Sequence, residues 1–519
     1  MALGNRPIKE EKRMKEMINY DLAAYIQCLK AAGLLVNYDL KGRDQSVVKG
    51  LTYNSKAVAG GTLFICKGAS FKEDYLKEAL ARGAVAYVSE TAYDAGAPCI
   101  LVSDIRKAMP FMANLYFCRP WKDLALIGIT GTKGKSTTAY YIKAIIDDYM
   151  AAAGKKESGV ISSIDVYDGV VQKESHITTP EAVELMEHFR NAVDSGIDYM
   201  EMEVSSQALK YDRVDQITFD VGVFLNISED HISPIEHPDF NDYFESKLRI
   251  FAQTKTACVN LDSDESGRIM EAAQAAGKVI TFGTDKAADI RADRIRKKGM
   301  DTVFQVSCDR FDREFVLEMP GLFNVENALA AIAIAYALDI PVEYMYSGLK
   351  RARSSGRMEL YHSQDHKIVA IVDYAHNKLS FEKLFESTLE EYKGRRIVTI
   401  FGCPGKKAYI RRRDLGTTAG KYSDKIYLVA EDPGYEPVED ISRDIARYVE
   451  AQGCPYEMIE DRGEAIGKAI METTEPTVIL ITGKGNETRQ KYGSEYIDCP
   501  SDVEYTKKFI GEYDRVHGE

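Results

Sequence analysis

The chain has 519 residues, 45% of them hydrophobic, and carries a formal charge of −13. That length exceeds what one core can organise and predicts roughly two to four domains, while the net acidity excludes a broad nucleic-acid footprint. No stretch approaches the ~18 uninterrupted apolar residues of a membrane span, and the charged start "MALGNRPIKEEKRMKEM" has no secretory pattern.

The nine cysteines are scattered, with no C-x-x-C pair; reduced thiols in a cytoplasmic protein are expected, and structural zinc is not. A helical leader is expected to about residue 35. From 50 to 120, short apolar runs ("GTLFIC", "AVAYVSE", "PCILVS") alternate with helical stretches ("EDYLKEALARG", "IRKAMPFMANLYF"). That rhythm predicts a small α/β domain over 1–120. A second block, 121–352, runs from "DLALIGIT" through "YMEMEVSS", "FDVGVFLNIS", "TACVNLD" and "KVITFG". Buried strands at helix-length intervals predict a mostly parallel sheet covered on both faces. The alanine-rich "ENALAAIAIAYAL" is expected to close it as a helix. The third block, 353–519, holds "KIVAIVDYA", "RRIVTIFGC", "KIYLVAED" and "TVILITGKG", each followed by helical sequence. This is the pattern of an open, dinucleotide-type sheet, with Asp373, Cys403, Asp432 and Lys484 at the carboxyl ends of its strands, where such sheets bind ligands.

The second block opens on a loop with chemistry. Gly131-x-x-Gly134-Lys135-Ser136 lies between an apolar run and a helix whose Ile142, Ile145, Ile146 and Tyr149 recur at helical spacing. It lacks the first glycine of the longer phosphate-loop pattern, Ile129 standing there. Backbone N–H groups at a glycine turn that opens a helix cradle anions; Lys135 would meet the β and γ phosphates, and Ser136 would ligate Mg²⁺. The plain alternative is a strand-to-helix turn with a surface lysine. In "DYMEMEVSSQAL", Glu201 and Glu203 share one side of a strand at period two, and a carboxylate at a strand end can hold the Mg²⁺ that a phosphate loop positions. Solvated glutamates on an edge strand would read the same way. Asn226, Asp230 and His231 crowd the next strand end in "LNISEDHISPIEH".

In order, "GITGTKGKSTT", "HITTPE", "MEVSSQAL", "DVGVFLNISEDHISPIEHPDFNDYFESKLRIF", "GLFNVENALAA", "SSGRMEL", "VDYAHNKLSFEKL" and "ITGKGNE" resemble the Mur ligases, ATP-dependent amide-forming enzymes of peptidoglycan synthesis. Within that family the chain most resembles the branch that adds the third residue. The resemblance implies three domains: a smaller N-terminal α/β domain for the UDP end of the substrate, a central phosphate-loop ATPase, and a C-terminal Rossmann-like domain for the incoming amino acid. It implies that a D-glutamate side-chain carboxylate attacks the γ-phosphate of ATP to give an acyl phosphate, which an amine then displaces. Charge neutralisation matters more in such a step than a protein nucleophile.

Carried over by position, Gly131, Thr132, Lys133, Gly134, Lys135, Ser136 and Thr137 would serve the ATP phosphates, with Ser136, Glu203 and His231 at magnesium. Lys247, in "FESKLRIF", matches the lysine the family carbamylates with CO₂, converting a cation into a carboxylate able to bridge metals. From those letters alone it reads as a helix-surface lysine. Lys135, His231 and Lys247 are thus the catalytic candidates. Asn324 or Asn327 would approach adenine, and Arg357 and Asp373 the nucleotide, so that domain closure completes the site. Thr178, Thr179, Pro180, Ser206 and Arg213 match positions that hold the muramoyl peptide. Asn54, Ser55 and Lys56 stand at the uridine site in place of the family's Asp-Ser-Arg. A monomer is expected, acting on UDP-N-acetylmuramoyl dipeptide, ATP and L-lysine.

Enzymes that add diaminopimelate carry Asp-Asn-Pro-Arg in the segment that here reads "VAEDPGYEPVED", the arginine forking onto the distal carboxylate. Gly434 takes the arginine's place, flanked by Glu431, Asp432 and Glu436. An acidic pocket repels a second carboxylate and accepts an ammonium, so L-lysine is favoured over meso-diaminopimelate. Tyr435, and Asn486 in place of a common histidine, keep ornithine open. Arg412 would bind the α-carboxylate, and Asp432 and Glu487 would contact the amines. Two rival readings remain: a related ligase with another acceptor, such as a folate polyglutamate ligase, and a nucleotide-binding scaffold without turnover.

Overall fold

The computed structural model describes residues 19–68, 71–175, 177–230, 232, 236–298, 301–319, 324–353, 356, 358–406 and 409–517. The expected site residues His231 and Arg357 lie outside them. The chain divides into two units: the first runs to Arg291 and takes up Cys308–Arg310 and Leu329–Gly348; the second holds Ala292–Ser307, Phe311–Ala328 and Leu349–Glu519. Among the described residues no helix is long and apolar enough to cross a membrane.

In the first unit, α1 (Leu22–Ala31) starts where the Asp21 side chain accepts from the Ala24 N–H. Then come β1 (Leu35–Asp39), β2 (Gly50–Thr52), β3 (Thr62–Ile65), α2 (Glu73–Ala81), β4 (Ala86–Ser89), β5 (Cys99–Val102) and α3 (Ile105–Tyr116). The sheet order is β1-β5-β4-β3-β2, parallel except for β1 against β5. Asp104 caps α3 by accepting from the N–H groups of Arg106 and Lys107.

The central part begins with β6 (Ala125–Thr130), α4 (Lys135–Ala152), β7 (Gly159–Ile161), β8 (Asp165–Tyr167), β9 (Gln172–Glu174) and α5 (Ala182–Asp194). It goes on through β10 (Tyr199–Glu203), α6 (Ser206–Lys210), β11 (Phe219–Phe224), α7 (Phe240–Leu248), β12 (Thr254–Asn260), α8 (Ser266–Ala273) and β13 (Lys278–Gly283). Strands β13-β12-β11-β6-β10-β7 are parallel, and antiparallel β8 and β9 extend the edge. Strand β6 lies between β11 and β10, the point where the connections change direction, and open α/β sheets bind ligands at the carboxyl ends there. Its near-continuous burial is that of a strand covered on both faces. Ile100, Met112, Phe189 and Phe224 belong to one apolar cluster, so the N-terminal and central parts share a core.

β14 (Ile290–Lys298) begins in the first unit, its Ile290 and Arg291 pairing with β13. In the second unit, β15 (Asp301–Ser307) and β16 (Asp312–Leu317) pair antiparallel. The unit boundaries pass through α9 (Asn324–Ala337) and α10 (Val342–Arg351). The remaining chain forms β17 (Glu359–His362), β18 (Ile368–Asp373), α11 (Lys378–Glu391), β19 (Arg396–Phe401), α12 (Tyr409–Tyr422), β20 (Lys425–Leu428), α13 (Val438–Glu450) and β21 (Tyr456–Met458). It ends with α14 (Arg462–Met471), β22 (Thr477–Thr482), the hairpin β23 (Arg489–Tyr492) and β24 (Glu495–Asp498), and α15 (Asp502–His517). The sheet order β17-β18-β22-β19-β20-β21 is parallel except for β17. Its core gathers Val372, Ile400, Ile479 and Tyr513, and Arg462 and Asp502 form a buried bidentate pair beside it.

Candidate active site

The loop after β6 is held from below by the loop after β11. The Thr132 N–H donates to the Asn226 carbonyl (3.0 Å), and the Lys133 N–H donates to the Asn226 side chain (2.9 Å). Gly131 has φ +151°, and a Cβ there would stand 2.9 Å from Leu225 Cβ. Gly134, at φ +83°, is the N-cap of α4, a left-handed turn that glycine makes without a steric penalty. The first turn of a helix lacks intrahelical acceptors for its N–H groups, and its dipole favours an anion. Lys135 Nζ donates back to the carbonyls of Gly131 (2.9 Å) and Thr132 (3.2 Å), so its ammonium sits at the mouth of this cradle.

Glu203, at the end of β10, is 1% exposed. Strand β10 is flanked by β6 and β7, so Glu201 and Glu203 are interior, and the edge-strand reading of them is set aside. The Glu203 carboxylate accepts from the Ser163 N–H (2.8 Å) and Oγ (3.2 Å), and Ser163 Oγ lies 3.1 Å from Ser136 Oγ. Ser163 thus links the Ser136 hydroxyl to the Glu203 carboxylate, hard oxygen donors of the kind Mg²⁺ takes. Among the described residues no group of three or more His, Cys, Asp or Glu gathers as a metal cage. Glu201, fully buried and accepting from Ser158 Oγ at 2.8 Å, is pushed well above the usual carboxylate range by burial, against the pull of Lys143. Its carboxyl, bonded to Ser158, belongs to the packing of β10 and not to the cradle.

Lys247, on α7, is 2% exposed, which corrects the surface-lysine reading. Its Nζ donates to the Gly131 carbonyl (2.9 Å) and lies 4.8 Å from the centre of the Tyr243 ring. Burial, reinforced by the Lys135 charge, holds its pKa well below the ordinary lysine value. Lys133 pairs with Asp230 at 3.3 Å. The Tyr243 hydroxyl meets Thr132 Oγ1 at 3.1 Å, fastening α7 to the loop.

Beside Glu203, Thr179 Oγ1 donates to the Glu203 carbonyl (2.9 Å) and accepts from the Ser205 N–H (3.0 Å). Arg213 donates to the Thr179 carbonyl and pairs with Glu181 (2.9 Å), which Lys67 also meets (2.5 Å). Pro180 is buried and Thr178 half-buried in the same turn. Ser206 Oγ is engaged by His237 (2.9 Å), so it is Ser205 whose backbone and hydroxyl adjoin Thr179. Ser55 lies apart from this group, donating to Glu78 at 2.6 Å.

In the second unit the acidic residues cluster at the carboxyl ends of β18, β20 and β22. Lys484 Nζ lies between Asp432 (3.0 Å) and Glu487 (2.5 Å), and the Tyr374 hydroxyl donates to Glu487 (2.6 Å). Glu431 is buried, and burial lifts its pKa to about 7 against the pull of Arg462. Arg412 is 2% exposed, its guanidinium forked onto Glu436 (2.9 and 2.7 Å) and close to Asp444. A substrate carboxylate would reach that fork only by displacing Glu436. Asp373 accepts from the N–H groups of Ala375 and Met358, and Asn327 donates to Asn324 in the first turn of α9.

The structure therefore gathers Gly131, Thr132, Lys133, Gly134, Lys135, Ser136, Glu203 and Lys247 around one loop, with Thr137 buried in the first turn of α4 behind it. Ser163, Ser205, Glu181 and Tyr243 complete the surroundings and escape sequence reasoning, because a serine after a short strand or a tyrosine inside a helix carries no motif.

A profile of the Mur ligase middle domain matches residues 129–335, and one of the Mur ligase glutamate ligase domain matches 356–485. A UDP-N-acetylmuramyl-tripeptide synthetase of Lactobacillus delbrueckii subsp. bulgaricus is 33% identical over 521 residues, covering 96% of this chain and 100% of the relative. A UDP-N-acetylmuramoyl-L-alanyl-D-glutamate–L-lysine ligase of Streptococcus pyogenes is 36% identical over 466 residues, 89% of this chain and 92% of its own. A solved UDP-N-acetylmuramoyl-L-alanyl-D-glutamate–2,6-diaminopimelate ligase shares the fold with a TM-score of 0.65 at 22% identity, over 96% of this chain and 100% of that one.

Proposed function

Because this chain belongs to the Mur ligase family, we propose that it joins L-lysine to the D-glutamate side-chain carboxylate of UDP-N-acetylmuramoyl-L-alanyl-D-glutamate, cleaving ATP to ADP and phosphate. In this reading residues 1–120 take the UDP end of the acceptor, 121–352 the nucleotide, and 353–519 the incoming amino acid. The protein acts as a cytoplasmic monomer in peptidoglycan synthesis. The observation that carries it is the convergence of Lys135 and Lys247 on the Gly131 carbonyl beside the Ser136–Ser163–Glu203 chain.

Lys135 and the first turn of α4 offset the triphosphate charge, so the acceptor carboxylate approaches the γ-phosphate without full anionic repulsion. Thr179, Ser205 and Arg213 wall the place where that carboxylate is held. The carboxylate oxygen bonds to phosphorus as ADP leaves; the lysine amine then adds to the acyl carbon, and phosphate departs with the loss of a proton. Ser136 and Glu203, with His231 from the family match, would hold Mg²⁺, which when bound supplies charge stabilisation to the phosphates. Lys247, whose buried amine is held well below the ordinary lysine pKa, would combine with CO₂ as the free amine, and the resulting carbamate anion would face the Lys135 and Lys133 charges.

The second unit and the lysine-adding relative from Streptococcus pyogenes support the choice of amine. Arg412 and Lys484 are each matched by carboxylates, which leaves the pocket better suited to an ammonium than to a second carboxylate. Gly434 stands at φ +58°, a backbone conformation that disfavours any side chain, arginine included. The direct test incubates the protein with ATP, the UDP-muramoyl dipeptide and equimolar lysine, ornithine and diaminopimelate, and weighs the product. A mass increase for lysine is expected; one for diaminopimelate overturns the amine assignment, and ATP cleavage indifferent to the dipeptide overturns the ligase reading.

A further inference from the structure

We propose that His237 is a positioning residue of the acceptor site: by holding Ser206 in the first turn of α6 it fixes the adjoining N-cap Ser205, which meets Thr179 in that site, and ties both to the helix that bears Lys247. This rests on the acceptor reading given above. His237 is fully buried, with Nε2 2.9 Å from Ser206 Oγ and Nδ1 2.6 Å from Asp242 Oδ2.

Lys210 Nζ also bonds that Asp242 oxygen (2.6 Å), and the contact holds the Asp242 carboxyl below its ordinary range. An ionised carboxylate only accepts, so the Nδ1 hydrogen is committed to it. In its neutral form the ring then accepts the Ser206 O–H at Nε2, which leaves the serine oxygen turned as an acceptor. This is the serine–histidine–aspartate order in which an aspartate fixes the imidazole tautomer and orientation. Here Ser206 and His237 are both buried, 4% and 0% exposed, so the arrangement positions a hydroxyl and does not expose a nucleophile.

The same ring meets Tyr243 edge-on, with centroids 5.2 Å apart, and Tyr243 touches both Thr132 Oγ1 and Lys247. His237 therefore links α6, which follows the Glu203 strand, to α7 and to the phosphate loop. His237 lies outside the helices and strands, in an isolated parallel bridge with Ile232; Pro238 biases its backbone to an extended form, and the bonds to Ser206 and Asp242 orient its ring.

The test uses the full chain with ATP, lysine and the UDP-muramoyl dipeptide. His237→Asn keeps a donor toward Asp242 and loses Ser206, whereas His237→Gln keeps the reach to Ser206. Ser206→Ala and His237→Asn are each expected to raise the dipeptide KM about tenfold, with the ATP KM unchanged. The double variant should be no worse than either single one, and His237→Gln should recover most of the dipeptide KM even where its melting temperature falls. Dipeptide and ATP KM rising together, in step with lost melting temperature, would show mere structural damage and overturn the proposal. An unmoved dipeptide KM in an active His237→Asn variant overturns it as well. A wild-type chain that neither binds nor turns over the dipeptide overturns the acceptor reading and this proposal together.

Discussion

Burial works against the charge of Lys247 and holds its pKa well below the ordinary lysine value, which in the proposed reading favours the amine form that takes up CO₂. Its amine is anchored on Gly131, the same carbonyl that Lys135 uses, so removing it takes a contact from the cradle without opening the sheet. Lys247→Ala is expected to lower kcat about a hundredfold or more, with partial recovery when formate or acetate is added; assays across a concentration series of either anion check this, and a wild-type rate without anion refutes the role. Glu431 gives a second test, through pH. Its folded pKa of about 7 lies above the ordinary carboxylate value, so between roughly pH 4.5 and 7 the folded chain holds a proton that the unfolded chain has released. The stability it contributes is complete below that window and is lost as pH rises through it. Glu431→Gln should therefore gain on the wild type by an amount on the order of 2 kcal/mol from pH 5 to pH 8. Urea unfolding at both pH values reads the difference, and a constant gap rules the titration out.

At the scale of the element, the unit that matters is strand, glycine turn, helix: β6, the 131–134 loop and α4. Its letters announce it, because an apolar run, two glycines and a helical repeat of isoleucines each impose a local conformation. What they leave open is how β6 packs. Gly128 on β6 pairs in register with Gly222 on β11, and each accommodates a neighbour: a Cβ on Gly128 would lie 2.8 Å from the Phe219 ring, and one on Gly222 2.2 Å from Thr254 Oγ1. Gly128→Ala is expected to cost about 1–3 kcal/mol through overpacking, seen as a lower unfolding midpoint; an unchanged midpoint would mean that the Phe219 ring moves aside freely. The period-two spacing of Glu201 and Glu203 is equally legible, but their division of labour is not. Both are interior; one binds Ser158 and the other Ser163, residues that flank β7 on its two sides.

Across the whole molecule, the order of strands and helices in the 121–352 and 353–519 blocks is readable because buried parallel strands are near-continuous apolar runs at helix-length intervals. The contact division into two units is less so: the N-terminal strands share an apolar cluster with the central sheet, a relation between distant segments that local pattern does not encode. The sequence by itself determined the glycine turn between β6 and α4, the family and the acidic character of the 431–436 segment, since each is a matter of residue type at short spacing. Only the tertiary structure decided that Lys247 is buried with its pKa lowered, that Arg412 is already forked onto Glu436, and that Ser206 answers to His237. Those states depend on desolvation and on partners 24 to 116 residues away, and folding alone brings such partners within bonding distance.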